Sequence, residues 1–251
     1  MTWMDDLTAY AAVGVDDRAK EALWGRGVTD QQIVTYGLGY LDRDLPDLPY
    51  SPAFLKWADN GNKLDDVFVL PLTNTLGAIK GFQFRHVDRE RAGYMDFIAE
   101  KGEAVLFGLS QAMPHIWRSK SVFLVEGAFD LFPVQRFNPG VVATLTARVV
   151  DPLVNILRRL VDQVDMGYDM DEAGRQSCEK FAKWHGKASR VGAKEFDVQI
   201  VDWPQVAMDG GFIKDPSDLW EALGDDQFGK FVRSVSGRER TMGPFDAETI
   251  W

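Results

Sequence analysis

The sequence predicts an α/β protein, with an α+β N-terminal subdomain followed by an α/β sheet flanked by helices. Three observations predict it. From Ser121 onward, short apolar runs alternate with helical stretches, the pattern of a mostly parallel sheet covered by helices. In the runs that precede Glu126 and Asp169 apolar residues dominate, which reads as strands buried on both faces. Ahead of them, helical segments come first and two strand-like runs joined by a tight turn follow.

Residues 1–36 read as helical, with an amphipathic segment at 16–24 and a second at 30–36. Thr29 is placed to N-cap the second and Gly37 to stop it. An Asp- and Pro-rich loop is expected at 41–52, then a short helix at 52–60. Residues 67–70 and 78–85 read as strands joined by the turn-forming 74–77. An irregular stretch at 86–102 leads to a helix expected at 104–113. Beyond a boundary near 114–120, strands are expected at 122–125, 141–145, 163–168 and 196–201. Helices at 128–137, 151–161 and 172–185 separate them, and two short helices at 216–223 and 226–235 precede a polar tail. The expected domains are 1–117, 118–205 and 206–251.

Composition narrows the function classes. A net charge of −10 argues against a protein that coats nucleic acid nonspecifically, yet leaves room for an enzyme with a local basic groove. The single cysteine, Cys178, excludes an internal disulfide and a cysteine-based zinc site. No apolar run is long enough to cross a membrane, and the start MTWMDDLTAY lacks the marks of a signal peptide. A cytoplasmic protein with no membrane partner is expected.

The chemistry concentrates in acids at strand ends. Glu126 closes the run SVFLVEG, and Asp169 and Asp171 follow another in YDMDEAG. Carboxylates at the carboxyl ends of adjacent strands converge where α/β sheets bind ligands. Three hard oxygen ligands there suit Mg²⁺, the usual ion of phosphoryl and nucleotidyl transfer. Asp130 lies one helical turn past Glu126, and KDPSDLW adds Asp215 and Asp218. Read alone, Asp215, Ser217 and Asp218 are equally good helix caps, and a single DxD says little. The joint spacing of EG and DxDxAG across a strand–helix–strand unit is far more specific.

That combination resembles the Toprim domain of DnaG-type primases, of type IA and II topoisomerases and of certain nucleases. The N-terminal half separates them. LWGRGVTDQQIVTYGLGYL, VFVLPLTNTLGAIKGFQFR and YMDFIAEKGEAVLFGLSQA resemble, in order, three motifs of the DnaG primase catalytic core. VEGAFD, VATLTA, YDMDEAG and KDPSDLW then follow in that family's order, so that the resemblance spans about residues 20–223.

The resemblance implies a DNA primase core that makes short RNA primers on single-stranded DNA from ribonucleoside triphosphates. Glu126, Asp169 and Asp171 match the family's catalytic, metal-binding acids, and Asp130 and Asp215 its supporting acids, for Mg²⁺ or Mn²⁺ and not zinc. Arg26, Arg85, Lys101 and Lys214 match residues that hold template and nucleotide phosphates. Two basic positions of the family are absent: Val67 replaces one, and Gly93 stands where a lysine usually precedes the tyrosine. Arg89 or Arg91 is the nearest replacement, and weak intrinsic DNA affinity is expected. One cysteine cannot build the family's zinc ribbon. A pared-down phage or mobile-element core is therefore expected, with the zinc ribbon and the replicative helicase as separate partners. The alternatives are a Toprim-type nuclease using the same metal and a non-catalytic replisome adaptor.

Overall fold

Hydrophobic patterning resolves into two four-stranded sheets, one antiparallel and one parallel. They are seen in a computed structural model that describes residues 2–43, 45–89, 91, 94–98, 105–146, 151–185, 196–204 and 212–236. The chain divides between Val105 and Leu106 into two units.

The first unit carries helices α1 (Trp3–Val13), α2 (Asp17–Trp24), α3 (Asp30–Tyr36) and α4 (Pro52–Asp59), and strands β1 (Gly39–Leu41), β2 (Val67–Thr73), β3 (Ile79–His86) and β4 (Tyr94–Ile98). Thr29 does cap α3, its hydroxyl accepting from Gln32 N while the Gln32 side chain accepts from Thr29 N. Gly37 ends that helix at φ 60°, a left-handed conformation that favours glycine. The strands run in the order β1–β2–β3–β4, all antiparallel. On one face of β2, Val67 and Val69 pack with Leu7, Phe54, Phe82, Phe84 and Phe97, and Trp3 and Trp57 pack against this cluster. On the other, Phe68 meets Tyr40 and the Arg26 guanidinium. With both faces covered, β2 from Val67 to Leu72 is entirely buried.

Two strands lie where irregular chain was expected. β1 ends at Leu41, where the loop was placed, and β4 falls inside the stretch 86–102. Neither stands out from its flanks, β1 running into the Asp- and Pro-rich stretch and β4 following the charged run 88–91. Each exists because an edge of the β2–β3 ribbon supplies its hydrogen bonds.

The second unit carries α5 (Leu109–Ser119), β5 (Ser121–Val125), α6 (Ala128–Gln135), β6 (Val141–Ala143), α7 (Asp151–Leu160), β7 (Gln163–Met166), α8 (Glu172–His185), β8 (Asp197–Ile200) and α9 (Pro216–Val235). The helix expected at 104–113 begins later. Phe107 bridges Ala143 in extended form, and Gly108 at φ 81° sits outside the helical range. The strands pair in parallel in the order β6–β5–β7–β8. α9 contains a non-helical Gly224 at φ 69°, so it is two helical pieces joined by a kink, as the two predicted segments require.

Candidate active site

β5 is followed at once by Glu126, and β7 by Gly167, Tyr168 and Asp169. Because β5 and β7 pair in parallel, Leu124 opposite Met166, both segments leave the sheet at its carboxyl end. The chain reaches β7 only after visiting β6 on the far side of β5. The β5–β7 junction is thus where the strand order reverses, the place where open α/β sheets form their ligand crevices.

Hydrogen bonds anchor these loops to the scaffold. Leu145 N donates to the Glu126 carbonyl at 2.9 Å, and Thr144 N to Val125 O at 3.0 Å. The buried Thr144 and Tyr168 hydroxyls meet at 2.8 Å, tying the loop after β6 to the loop after β7. Asp130 braces two elements at once: its Oδ2 accepts from Gly127 N at 3.0 Å and its Oδ1 from Ser217 Oγ at 2.9 Å. Asp215 is the N-cap of α9, accepting from Asp218 N at 2.8 Å. Asp171 accepts from Gly174 N at 2.8 Å. Gly174 is required by space, since a Cβ there would collide with the Asp169 carbonyl.

Asp169 is buried, and its Oδ2 lies 2.6 Å from Lys214 Nζ, which is also 3.8 Å from Asp171 Oδ2. Met170 N donates to Lys214 O at 2.7 Å, so backbone as well as charge joins the two loops. Burial, followed by the charges of Asp169 and Asp171, pushes the Glu126 carboxyl up to about 7. Burial also raises Asp169, against the pull of the Lys214 hydrogen bond. Asp130 and Asp215 are both raised by burial, and each is felt by the carboxylates around it. Lys214 is raised in turn by its bond to Asp169.

Among the described residues, no three acidic, histidine or cysteine side chains stand close enough to hold a metal ion as they are. The donor chemistry nevertheless fits one. The acids are hard oxygen ligands, and burial together with the neighbouring charges of Asp169 and Asp171 raises the proton affinity of Glu126. The buried Asp169 Oδ1 has no hydrogen-bond partner among the described residues, and an orphaned buried carboxylate oxygen is costly unless a cation or proton meets it.

Glu126, Asp130, Asp169, Asp171, Lys214 and Asp215 therefore form one electrostatic neighbourhood. Arg26 and Arg85 belong to the other unit. Arg26 is buried, with its NH2 donating to the carbonyls of His86 at 3.1 Å and Val87 at 2.9 Å. Arg85 is half-buried on β3, opposite Tyr94. Lys101 lies outside the described residues. Arg89 donates to Gly25 O and Arg91 pairs with Asp65, so both proposed replacements have partners inside the first unit. Sequence reasoning did not single out Thr144 or Tyr168, although both stand in the quoted motifs VATLTA and YDMDEAG. Their pairing depends on two loops meeting in space.

Residues 123–218 match the profile of the Toprim-like family. The chain is 26% identical over 234 residues to the DNA primase of Treponema pallidum, covering 86% of this chain and 36% of that protein. Among solved structures, the E. coli primase catalytic core superposes with a TM-score of 0.72 at 19% identity, over 93% of this chain and 79% of that one. A DnaG primase catalytic domain bound to single-stranded DNA superposes with a TM-score of 0.70 at 18% identity, over 93% and 80%. The chain spans about a third of the length of the curated relatives it matches. The chain is thus similar in sequence to DNA primases, with a Toprim-like domain at residues 123–218 and the fold of the DnaG catalytic core.

Proposed function

We propose that this chain is the catalytic core of a DnaG-type primase, joining ribonucleotides into short primers on a single-stranded DNA template. The observation that carries the reading is the acid pair Glu126 and Asp169 just past the carboxyl ends of neighbouring parallel strands, at the switch point of a Toprim-like domain. Collinear similarity to DNA primases over 86% of the chain supports it. So does the fold shared with a primase domain bound to single-stranded DNA.

Glu126, Asp169 and Asp171 would hold Mg²⁺ or Mn²⁺, which when bound neutralises triphosphate charge and activates a primer hydroxyl for in-line attack. The chain's own part is positioning and electrostatics. Asp130, held by Gly127 and Ser217, fixes the turn that presents Glu126. Asp215, capping α9, fixes the segment that carries Lys214. Arg85, Lys101 and Lys214 are the proposed contacts to nucleotide and template phosphates, through charge-assisted hydrogen bonds. On this reading the expected bounds 1–117, 118–205 and 206–251 are adjusted: the primase-specific subdomain is residues 1–105, ahead of α5, and the Toprim domain extends through Lys214 and Asp215 to residue 218, with the rest of α9 a C-terminal helical segment. A replicative helicase and a separate zinc-ribbon protein are the proposed partners.

Incubating the chain with labelled ribonucleotides, single-stranded template and Mg²⁺ or Mn²⁺ tests this. Labelled extension products are expected, and Asp169→Asn should abolish them without unfolding the protein. Shortened template with no labelled product would replace the reading by a nuclease. Neither product, even with helicase and a zinc-ribbon protein added, would leave an adaptor.

A further inference from the structure

Lys214 occupies an unusual place for a phosphate-binding lysine. Its ammonium lies between two of the acids, 2.6 Å from Asp169 Oδ2 and 3.8 Å from Asp171 Oδ2. A compact point charge bridging two carboxylates does electrostatically what a metal ion does there, and an ammonium suits that better than the planar fork of an arginine.

The way Lys214 is held separates its backbone from its head group. The backbone N–H donates to Asp218 Oδ2 at 3.0 Å and the carbonyl accepts from Met170 N at 2.7 Å. Ile213, just before it, is buried. These contacts persist whatever the side chain does. The side chain itself is 47% exposed, whereas that of Asp169 is 11% exposed. The ammonium can therefore swing into solvent on its flexible stem without unseating the loop, while the buried acid stays. Asp169 is also only half satisfied, because Oδ1 has no partner among the described residues.

We propose that Lys214 is the built-in counter-ion of the metal-free acid cluster, neutralising Asp169 and Asp171 until a divalent cation displaces its ammonium. This rests on the reading of these acids as a metal site. It makes Lys214 a competitor of the metal and a stabiliser of the metal-free fold. A lysine serving only to contact substrate would do neither.

Mn²⁺ titration followed by the electron paramagnetic resonance of the free ion, together with thermal unfolding with and without Mn²⁺, reads both effects. The full chain is compared with Lys214→Met and with Asp169→Asn. In Lys214→Met, Mn²⁺ should bind on the order of tenfold more tightly than in the wild type, the size of a typical coupling between competing groups. The metal-free melting temperature should fall by several degrees, since a buried acid loses its partner, and Mn²⁺ should restore it. Should Lys214→Met fail to fold without metal, Lys214→Gln, which keeps a polar head, is titrated instead and the same tightening is expected. Equal Mn²⁺ affinity and an equal metal-free melting temperature would overturn the inference. If the wild type binds Mn²⁺, Asp169→Asn does not, and the Lys214 variants match the wild type, the inference fails while the metal site stands. If the wild type binds no Mn²⁺, both fail.

Discussion

The two sheets treat buried charge in opposite ways. In the antiparallel unit the buried guanidinium is matched within the core: Arg26 donates to two carbonyls and lies 5.6 Å over the Phe68 ring, and the buried atoms without a partner among the described residues there, the Tyr50 hydroxyl, Gln83 Oε1 and His86 Nδ1, are not carboxylates. Tyr40 likewise donates to Asp66 at 2.7 Å while Asp66 pairs with Arg18. In the parallel unit, acids are brought together at the carboxyl end of the sheet around Lys214, and a buried oxygen of Asp169 has no partner among the described residues. The first arrangement consumes charge to hold a fold. The second keeps charge in tension, which is what the proposed cation site requires.

Breaking the second arrangement should damage activity far more than stability. Glu126→Gln removes a negative charge from the acid cluster while keeping its shape. Primer synthesis should fall by about 10³-fold or more, the scale of losing one electrostatic stabiliser. The metal-free melting temperature should hold or rise, because a repelled carboxylate is gone. A variant that is both inactive and unfolded would show that Glu126 belongs to the scaffold.

Breaking the first should do the reverse. Arg26→Met leaves two carbonyl partners unmet and removes a charged donor, so the stability loss should be about 2–3 kcal/mol by denaturant titration. Residual primer synthesis below the melting temperature should stay close to wild type. Arg26 was assigned by resemblance to phosphate binding. If Arg26→Met leaves stability intact and weakens template binding instead, that role is restored and the contrast between the units weakens.

The contrast also has a pH signature. Burial, followed by the charges of Asp169 and Asp171, pushes the Glu126 carboxyl up to about 7 in the folded chain, against 4.5 as its ordinary value. The folded state therefore holds a proton that the unfolded state has lost between those limits, and stability falls as pH rises through this window. Asp169, Asp130 and Asp215 are shifted the same way. Thermal unfolding without metal should accordingly give a higher melting temperature at about pH 5.5 than at about pH 8. Mg²⁺ should flatten that slope by keeping the acids ionised in the folded state, and Glu126→Gln should reduce it. A metal-free slope of the opposite sign would mean that these acids are not in tension.

The parallel unit was the more legible of the two in the sequence. The run SVFLV is apolar after Ser121 and buried there, whereas QVDM alternates polar and apolar residues yet is buried after Gln163; strand–helix alternation is what fixes their direction. Glu126 and Asp169 were found because they stand immediately after such runs. β1 and β4 were missed because their flanks read as loop, β1 running into the Asp- and Pro-rich stretch and β4 following the charged run 88–91, and their pairing is supplied by a neighbouring strand. The burial of Arg26 was illegible for the same reason, its carbonyl partners lying 60 and 61 residues away. The engagement of Lys214 with Asp169 was likewise hidden, since the motif KDPSDLW reads as a cap and a free cation until the loops are seen to touch.

The smallest effect is expected beneath the acids, where the parallel unit behaves like the antiparallel one. Thr144 Oγ1 lies 2.9 Å from Thr146 O and 3.3 Å from Val125 O as well as 2.8 Å from the Tyr168 hydroxyl. Tyr168→Phe therefore removes one hydrogen bond and leaves the threonine with a carbonyl acceptor, and it opens no cavity. The loss should be about 1 kcal/mol, the net worth of an ordinary buried hydrogen bond. Mn²⁺ affinity should be unchanged, because Leu145 N still holds the Glu126 carbonyl. A much larger loss, or weakened Mn²⁺ binding, would mean that the hydroxyl pair shares in the tension above it. The boundary between charge spent on folding and charge kept for chemistry would then lie one layer deeper than Glu126 and Asp169.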